Sequence, residues 1–209
     1  EVLQTADSLL TDGGHLFLGD LRSLLLLDAY HTSVQLYQSD DDATLAKLRE
    51  RIELRIEQEE ELLIDPEFFR LLNEVMPRIQ DVEFQLKRGS TRNEMTSFRY
   101  DAILQLGGSA SAAVTPGRSD WQDLATLRTE LTELGAQGLL VTNIPDARTR
   151  AEVIACGELA HENCDSVAEL KARVAADAGT DTISVQPDAL YELATELQLQ
   201  VQMIQTALG

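Results

Sequence analysis

The chain has 209 residues, 44% hydrophobic and 25% charged, the balance of a globular fold with room for one large domain or two small ones. Against 17 Lys and Arg stand 36 Asp and Glu, a formal charge of −19, which argues against a phosphate backbone or an anionic membrane surface as partner. No apolar run approaches the roughly 20 residues that span a bilayer, no secretory signal is visible, and Cys156 and Cys164 with a nearby His161 read as reduced thiols of a cytoplasmic protein, not as a metal site.

In chain order, VLQTADSLL reads as the end of a helix stopped by Asp12-Gly13-Gly14, where glycine supplies the left-handed backbone of a helix exit. HLFLGD (15–20) follows as a strand, apolar on both faces until Asp20, which suits the interior of a parallel sheet. Ser23 is placed to cap a helix over 24–38, with Leu24, Leu27, Tyr30, His31, Val34 and Tyr37 at helical spacing. A second helix is expected over 43–63, with Leu45, Leu48, Ile52, Ile56 and Leu63 on one side and Glu57 to Glu61 on a solvated face. Asp65-Pro66 opens a third, 66–76, with Asp as cap and Pro where no amide donor is needed. VEFQLK (82–87) and FRYDAILQL (98–106) alternate in polarity and predict an antiparallel pair.

GGSASAAVTPGRSD (107–120) reads as a linker or long surface loop. Beyond it a helix over 121–135 carries Leu124, Leu127, Leu131 and Leu134 on one stripe. GLLVTNIP (138–145) holds a short strand. Helices follow over 146–160, over 167–177 behind a Ser166/Glu169 capping box, and over 188–199 behind Pro187, then a final strand at VQMIQ. The expected organisation is therefore a unit over 1–106, a linker over 107–120 and a small, mainly helical unit over 121–209.

One stretch stands out. LKRGSTRNEMTSFRYD (86–101) gathers Lys87, Arg88, Arg92 and Arg99 around a single turn, with Asn93 and Glu94 between them. Strand 15–20 ends in Gly19-Asp20-Leu21-Arg22. Ligands of open α/β sheets bind beyond the carboxyl ends of the parallel strands. If strand 82–87 runs parallel to strand 15–20, both polar clusters meet on one rim. The bland alternative is an ordinary polar hairpin tip.

A parallel sheet that ends in such a hairpin, with the phrases GGHLFLGDLRSLLLLDAYHTSVQLYQ (13–38), EEELLIDPEFFRLLNEVMPRI (59–79), VEFQLKRGSTRNEMTSFRYDAILQLG (82–107) and IPDARTRAEV (144–153), resembles the S-adenosylmethionine-dependent methyltransferase domains embedded in nonribosomal peptide synthetases and hybrid polyketide enzymes. The resemblance covers nearly the whole chain; GDLRS and RNEMTSFRYD are its more specific parts, and 121–209 is similar more loosely. It implies an α/β fold: the C-terminal part of a Rossmann-like seven-stranded sheet. That family holds its cofactor with an acidic residue and a Gly-x-Gly-x-Gly turn after the first strand. This signature would lie N-terminal to everything here; Gly13-Gly14 and Gly107-Gly108 stand elsewhere. The expectation is a chain that starts near the fifth strand, with the missing half of the fold on the same polypeptide, on a partner chain, or lost. Alone it would neither bind the cofactor nor turn over. Strand 15–20 would then present an open edge, met by a homodimer, a partner or a covering element.

The activity implied by the resemblance is methyl transfer to the amine of an aminoacyl group tethered to a carrier protein, which needs alignment and a neutral amine. By resemblance, Glu94 and Asn93 are candidates to orient the amine or accept its proton, and Tyr100 to position the acceptor through its hydroxyl. Asp20, Arg22, His31 and Gln35 are candidates to line the substrate pocket. Arg22 reads equally as an ion-pair partner of Asp20 or Asp28, and His31 as a packed helix histidine. There is no Ser-His-Asp pattern, metal cluster or phosphate loop. Two readings stand beside this one: an inactive pseudo-methyltransferase serving as scaffold or docking domain in a megasynthase, and an unrelated acidic α/β interaction domain. Epimerisation on the same fold is not separable from methyl transfer by sequence.

Overall fold

The computed structural model describes residues 1–89, 91–108, 115–134, 137–161 and 164–206. In chain order they form α1 (Val2–Leu9), β1 (Gly14–Ser23), a 3-10 turn (Leu24–Leu26), α2 (Leu27–Gln38), α3 (Leu45–Glu57), β2 (Leu63–Ile64), α4 (Pro66–Val75) and β3 (Ile79–Leu86). Then come α5 (Glu94–Phe98), β4 (Arg99–Leu106), β5 (Gly117–Asp120), α6 (Leu124–Leu134), β6 (Leu139–Thr142), α7 (Arg150–His161), α8 (Val167–Thr180) and α9 (Pro187–Glu196).

The alternating segments build a four-stranded mixed sheet of order β2-β1-β4-β3. β4 is antiparallel to both β1 and β3, and β2 is parallel to β1. β1 and β3 therefore run the same way. Their carboxyl ends share one rim with the start of β4, where Arg22 lies opposite Arg99 and Leu86 opposite Tyr100. A second sheet pairs β5 parallel to β6. The α/β class and the antiparallel hairpin hold; a seven-stranded sheet does not appear among the described residues.

On the inner face of the main sheet, Phe84, Leu86, Tyr100, Ala102, Leu104 and Leu106 pack with Phe69 and Leu72 of α4, Leu127 of α6 and Leu190 and Leu193 of α9. A second core joins Leu45, Leu48 and Ile52 of α3 to Ala155 and Leu159 of α7 and Val167, Leu170 and Val174 of α8. Each core draws on residues from both sides of 107–120. Within that stretch, 109–114 lie outside the described residues, and Gly117–Asp120 is strand β5 rather than loop.

Local chemistry sets several boundaries as expected. The Asp65 carboxylate accepts from the Glu67 amide with Pro66 in the first turn, and the Ser166 hydroxyl accepts from the Glu169 amide. Other expectations are corrected. β1 is not buried on both faces: Phe17 is 60% exposed, because a strand with an antiparallel neighbour can leave one face to water. Ser23 makes no side-chain cap. α3 stops at Glu57 instead of running to 63, and Leu63 joins a strand. α2 buries Ala29, His31, Thr32 and Gln35, while Tyr37, expected on the apolar stripe, is exposed. VQMIQ forms no strand; the Met203 amide donates to the Phe84 carbonyl at 3.4 Å.

Two buried tyrosines tie this core to the sheet's edges. The Tyr100 hydroxyl donates to the Ile64 carbonyl at 3.0 Å, and the Tyr191 hydroxyl donates to the Leu86 carbonyl at 3.2 Å. Burial pushes both phenols above their ordinary value of 10.0. A folded-state value above the unfolded one contributes stability that is present below pH 10 and lost as pH rises through the folded value. The urea midpoint is therefore expected to fall as pH climbs above about 10, and Tyr100→Phe to flatten that fall. An unchanged slope in the variant would contradict this account.

Candidate functional site at the sheet rim

The site begins with a break in β1. The β1–β4 register shifts between Leu18 and Leu21, so Gly19 and Asp20 bulge, and Asp20 takes a left-handed φ of 66°. Bulges re-aim side chains at sheet rims, and Asp tolerates this backbone better than most residues. The bulge is pinned by the Asp20 amide donating to Asp101 Oδ1 at 2.7 Å. Lys87 Nζ donates to the same Asp101 oxygen at 2.6 Å and lies 3.2 Å from Asp20 Oδ1. Burial works against the Lys87 charge, but the bonds to Asp101 and Asp20 outweigh it and raise its pKa.

Beyond the bulge, Arg22 and Arg99 face each other across β1 and β4. Like charges directly opposite repel, and carboxylates between them remove the penalty. Glu61 bridges the two: Arg22 Nη1 donates to its Oε2 at 3.0 Å, and Arg99 Nη1 lies 2.6 Å from its Oε1. Arg99 Nη2 also donates to Glu94 Oε1 at 2.7 Å, and Nη1 reaches Asp20 Oδ2 at 3.8 Å. Arg22 Nη1 pairs with Glu59 Oε2 at 2.9 Å, and that oxygen also holds His31 Nε2 at 3.0 Å. Tyr30 completes the group: its ring lies 3.9 Å from the Arg22 guanidinium carbon, and its hydroxyl donates to Glu94 Oε2 at 3.5 Å. Burial and the Glu94 charge push the Tyr30 hydroxyl up.

Glu59 is the hinge of this arrangement. Burial would raise its pKa, but the Glu61 amide, the Arg22 guanidinium and His31 together hold it below the usual carboxylate value. An ionised carboxylate only accepts, so His31 Nε2 carries the hydrogen of this contact. Lys87, Arg22 and Arg99 face five carboxylates in this network, Asp20, Glu59, Glu61, Glu94 and Asp101. The rim therefore carries net negative charge.

The structure brings together Asp20, Arg22, His31 and Glu94 of the expected residues. Asn93 lies beside them, but its side-chain oxygen accepts from the Thr96 amide to start α5. Tyr100 sits on the opposite face of β4 in the core, its hydrogen committed to Ile64. Gln35 is buried in α2 and reaches Gln38 Oε1 at 3.5 Å; among the described residues no side-chain bond links it to the rim. The cation cluster also divides. Lys87 and Arg99 serve the rim, Arg92 is bonded to Glu152 of α7, and Arg88 lies over the Tyr191 ring. Glu59, Glu61 and Tyr30 were missed. The two glutamates were expected on a solvated helix face. The signal against that reading was LLID just after them, a short apolar run before a cap.

The sequence neighbours of this chain bear on its setting. A chondramide synthase of Chondromyces crocatus is 45% identical over 122 residues, 58% of this chain and 3% of the relative. A probable non-canonical nonribosomal peptide synthetase of Salinispora arenicola is 36% identical over 148 residues, 71% of this chain and 2% of the relative. The cyclosporin synthetase of Tolypocladium inflatum is 29% identical over 200 residues, 85% of this chain and 1% of the relative. The relatives are nonribosomal peptide synthetases. The chain spans only a few per cent of these synthetases, and no protein-family model matches it. Among the described residues, no helix is long and apolar enough to cross a membrane.

Proposed function

We propose that this chain is the acceptor-binding part of a methyltransferase domain in a nonribosomal peptide synthetase, acting on the amine of an aminoacyl group borne by a carrier protein. The observation that supports this best is the convergence on one rim of Asp20, Arg22, His31 and Glu94, held together by Arg99 and Glu59. The synthetase relatives supply the context.

The chain's own residues perform the acceptor side of the chemistry. An aminoacyl amine arrives as an ammonium ion and must lose a proton before its nitrogen can be methylated. The carboxylates of Glu94, Asp20 and Glu61 are each about two-fifths exposed, and they attract and orient the ammonium. His31, oriented by the contact of its Nε2 with Glu59, takes the proton on Nδ1. Asn93 shapes the turn that carries Glu94.

S-adenosylmethionine is the methyl donor implied by the family resemblance, whose cofactor turn follows the first strand. The left-handed glycines Gly107 and Gly108 follow Leu106, which pairs with Gly14 at the start of β1, the end of the sheet away from the rim. On this reading the cofactor turn is supplied by other residues, in the same polypeptide or in a partner along the open edge of β1. Among the described residues that edge is paired only at Arg22 and Ser23.

The test is methyl transfer by the full-length polypeptide. With methyl-labelled S-adenosylmethionine and a carrier protein loaded with an amino acid, label is expected on the amino nitrogen. A loaded carrier that stays unlabelled would reject this reading in favour of a scaffold role.

A further inference from the structure

Arg22 and Arg148 are equally buried, at 4% and 2% exposure, yet the fold treats them differently. Every guanidinium nitrogen of Arg148 is used: Nε and Nη2 donate to Asp146, and Nη1 donates to the Lys87 carbonyl at 2.8 Å. In Arg22 only Nη1 is used, shared by Glu59 and Glu61. Nε and Nη2 have no acceptor among the described residues and are closed to solvent. These two N–H groups lie side by side in the guanidinium plane and form the fork that grips an oxygen ligand. A buried, charged donor pair left bare is a costly defect, and native structures retain such groups where a ligand completes them.

We infer that the Nε–Nη2 edge of Arg22 is a subsite for the acyl carbonyl oxygen of the acceptor, so that the rim reads an amine and a neutral carbonyl together. This rests on the reading above that the site takes an amine-bearing acyl group. Charge selects the carbonyl over a free carboxylate. The rim already holds five carboxylates against three cations, so an anionic ligand group would add to the excess, while a neutral oxygen fills the fork without doing so. The site would therefore discriminate against free amino acids and favour those whose carboxyl group is masked as a thioester.

The test is binding to the 209-residue chain without cofactor, by calorimetry or by NMR titration. Two probes are compared: the N-acetylcysteamine thioester of alanine, and its analogue with the carbonyl replaced by methylene. The thioester is expected to bind at least about ten-fold more tightly, as a lost charge-assisted hydrogen bond implies. Arg22→Lys retains a cation for Glu59 and Glu61 but lacks the fork; it should erase the preference for the thioester over the methylene probe. Equal affinities in the unmodified chain overturn the inference without recourse to any variant. So does a preference that survives Arg22→Lys, or the absence of binding by both probes. Because no cofactor is present, a failure of methyl transfer in the full-length polypeptide is read separately from this result.

Discussion

Replacing His31 with Gln is expected to slow methyl transfer by the full-length polypeptide about 10²- to 10⁴-fold, the usual contribution of a positioned general base. The chain should stay folded. A Gln amide can still donate to Glu59 Oε2, which His31 Nε2 holds at 3.0 Å, and Arg22 continues to neutralise that carboxylate. What disappears is the second nitrogen and its lone pair. The loss should be largest below the pKa of the acceptor ammonium, where the proton must be removed, and should shrink as pH rises and the free amine forms without help. Glu94→Gln, by contrast, is expected to raise KM more than it lowers kcat, since that carboxylate orients the amine. Unchanged turnover in the His31 variant at neutral pH would place the base elsewhere.

Arg148→Met should be the most damaging single change to stability away from the site, at about 3–5 kcal/mol, the cost of removing one partner of a buried ion pair. It strands the Asp146 carboxylate, which Nη2 holds at 2.8 Å, and the Lys87 carbonyl. For a chain of this size, the melting temperature should fall by about 6–20 °C. Asp146→Asn in the Arg148→Met background should recover part of the loss, because the stranded charge is then gone. A shift no larger than that of Arg128→Met, whose partner Glu196 is mostly exposed at the surface, would show that burial does not set the cost. The effect should also reach the rim. Arg148 fixes the backbone of Lys87, and the Lys87 ammonium ties Asp101 of β4 to Asp20 of the bulge.

Segments whose behaviour depends on near neighbours were legible in the sequence. Alternation in VEFQLK and FRYDAILQL became β3 and β4, because period-two polarity suits a strand with one wet face. Asp65-Pro66 opened α4 and Ser166 opened α8, because a cap acts on amides two or three residues away. The apolar stripe assigned to α2 held at His31 but failed at Leu24 and Tyr37, which are exposed, for the complementary reason. Its buried face runs through His31, Thr32 and Gln35, and a helix that buries polar groups against partners defeats a rule built on hydrophobic periodicity. The turn 87–98 hid α5 because five residues are too few for a periodic signal.

From the residues alone came the acidity, the strand hairpin, and the concentration of charge at Asp20-Leu21-Arg22 and Lys87–Arg99. That these segments meet follows from strand direction, which the rule for α/β sheets anticipates. The partners of those charges did not follow from any local rule. His31 finds Glu59 across 28 positions, and Arg22 finds Glu61 across 39. Both glutamates reach the rim only because α3 ends at Glu57 and Leu63-Ile64 pairs with Arg22-Ser23. A carboxylate on a continued helix would have faced water. One two-residue strand, docked on β1, turns a run of surface acids into the counter-charges of a buried arginine.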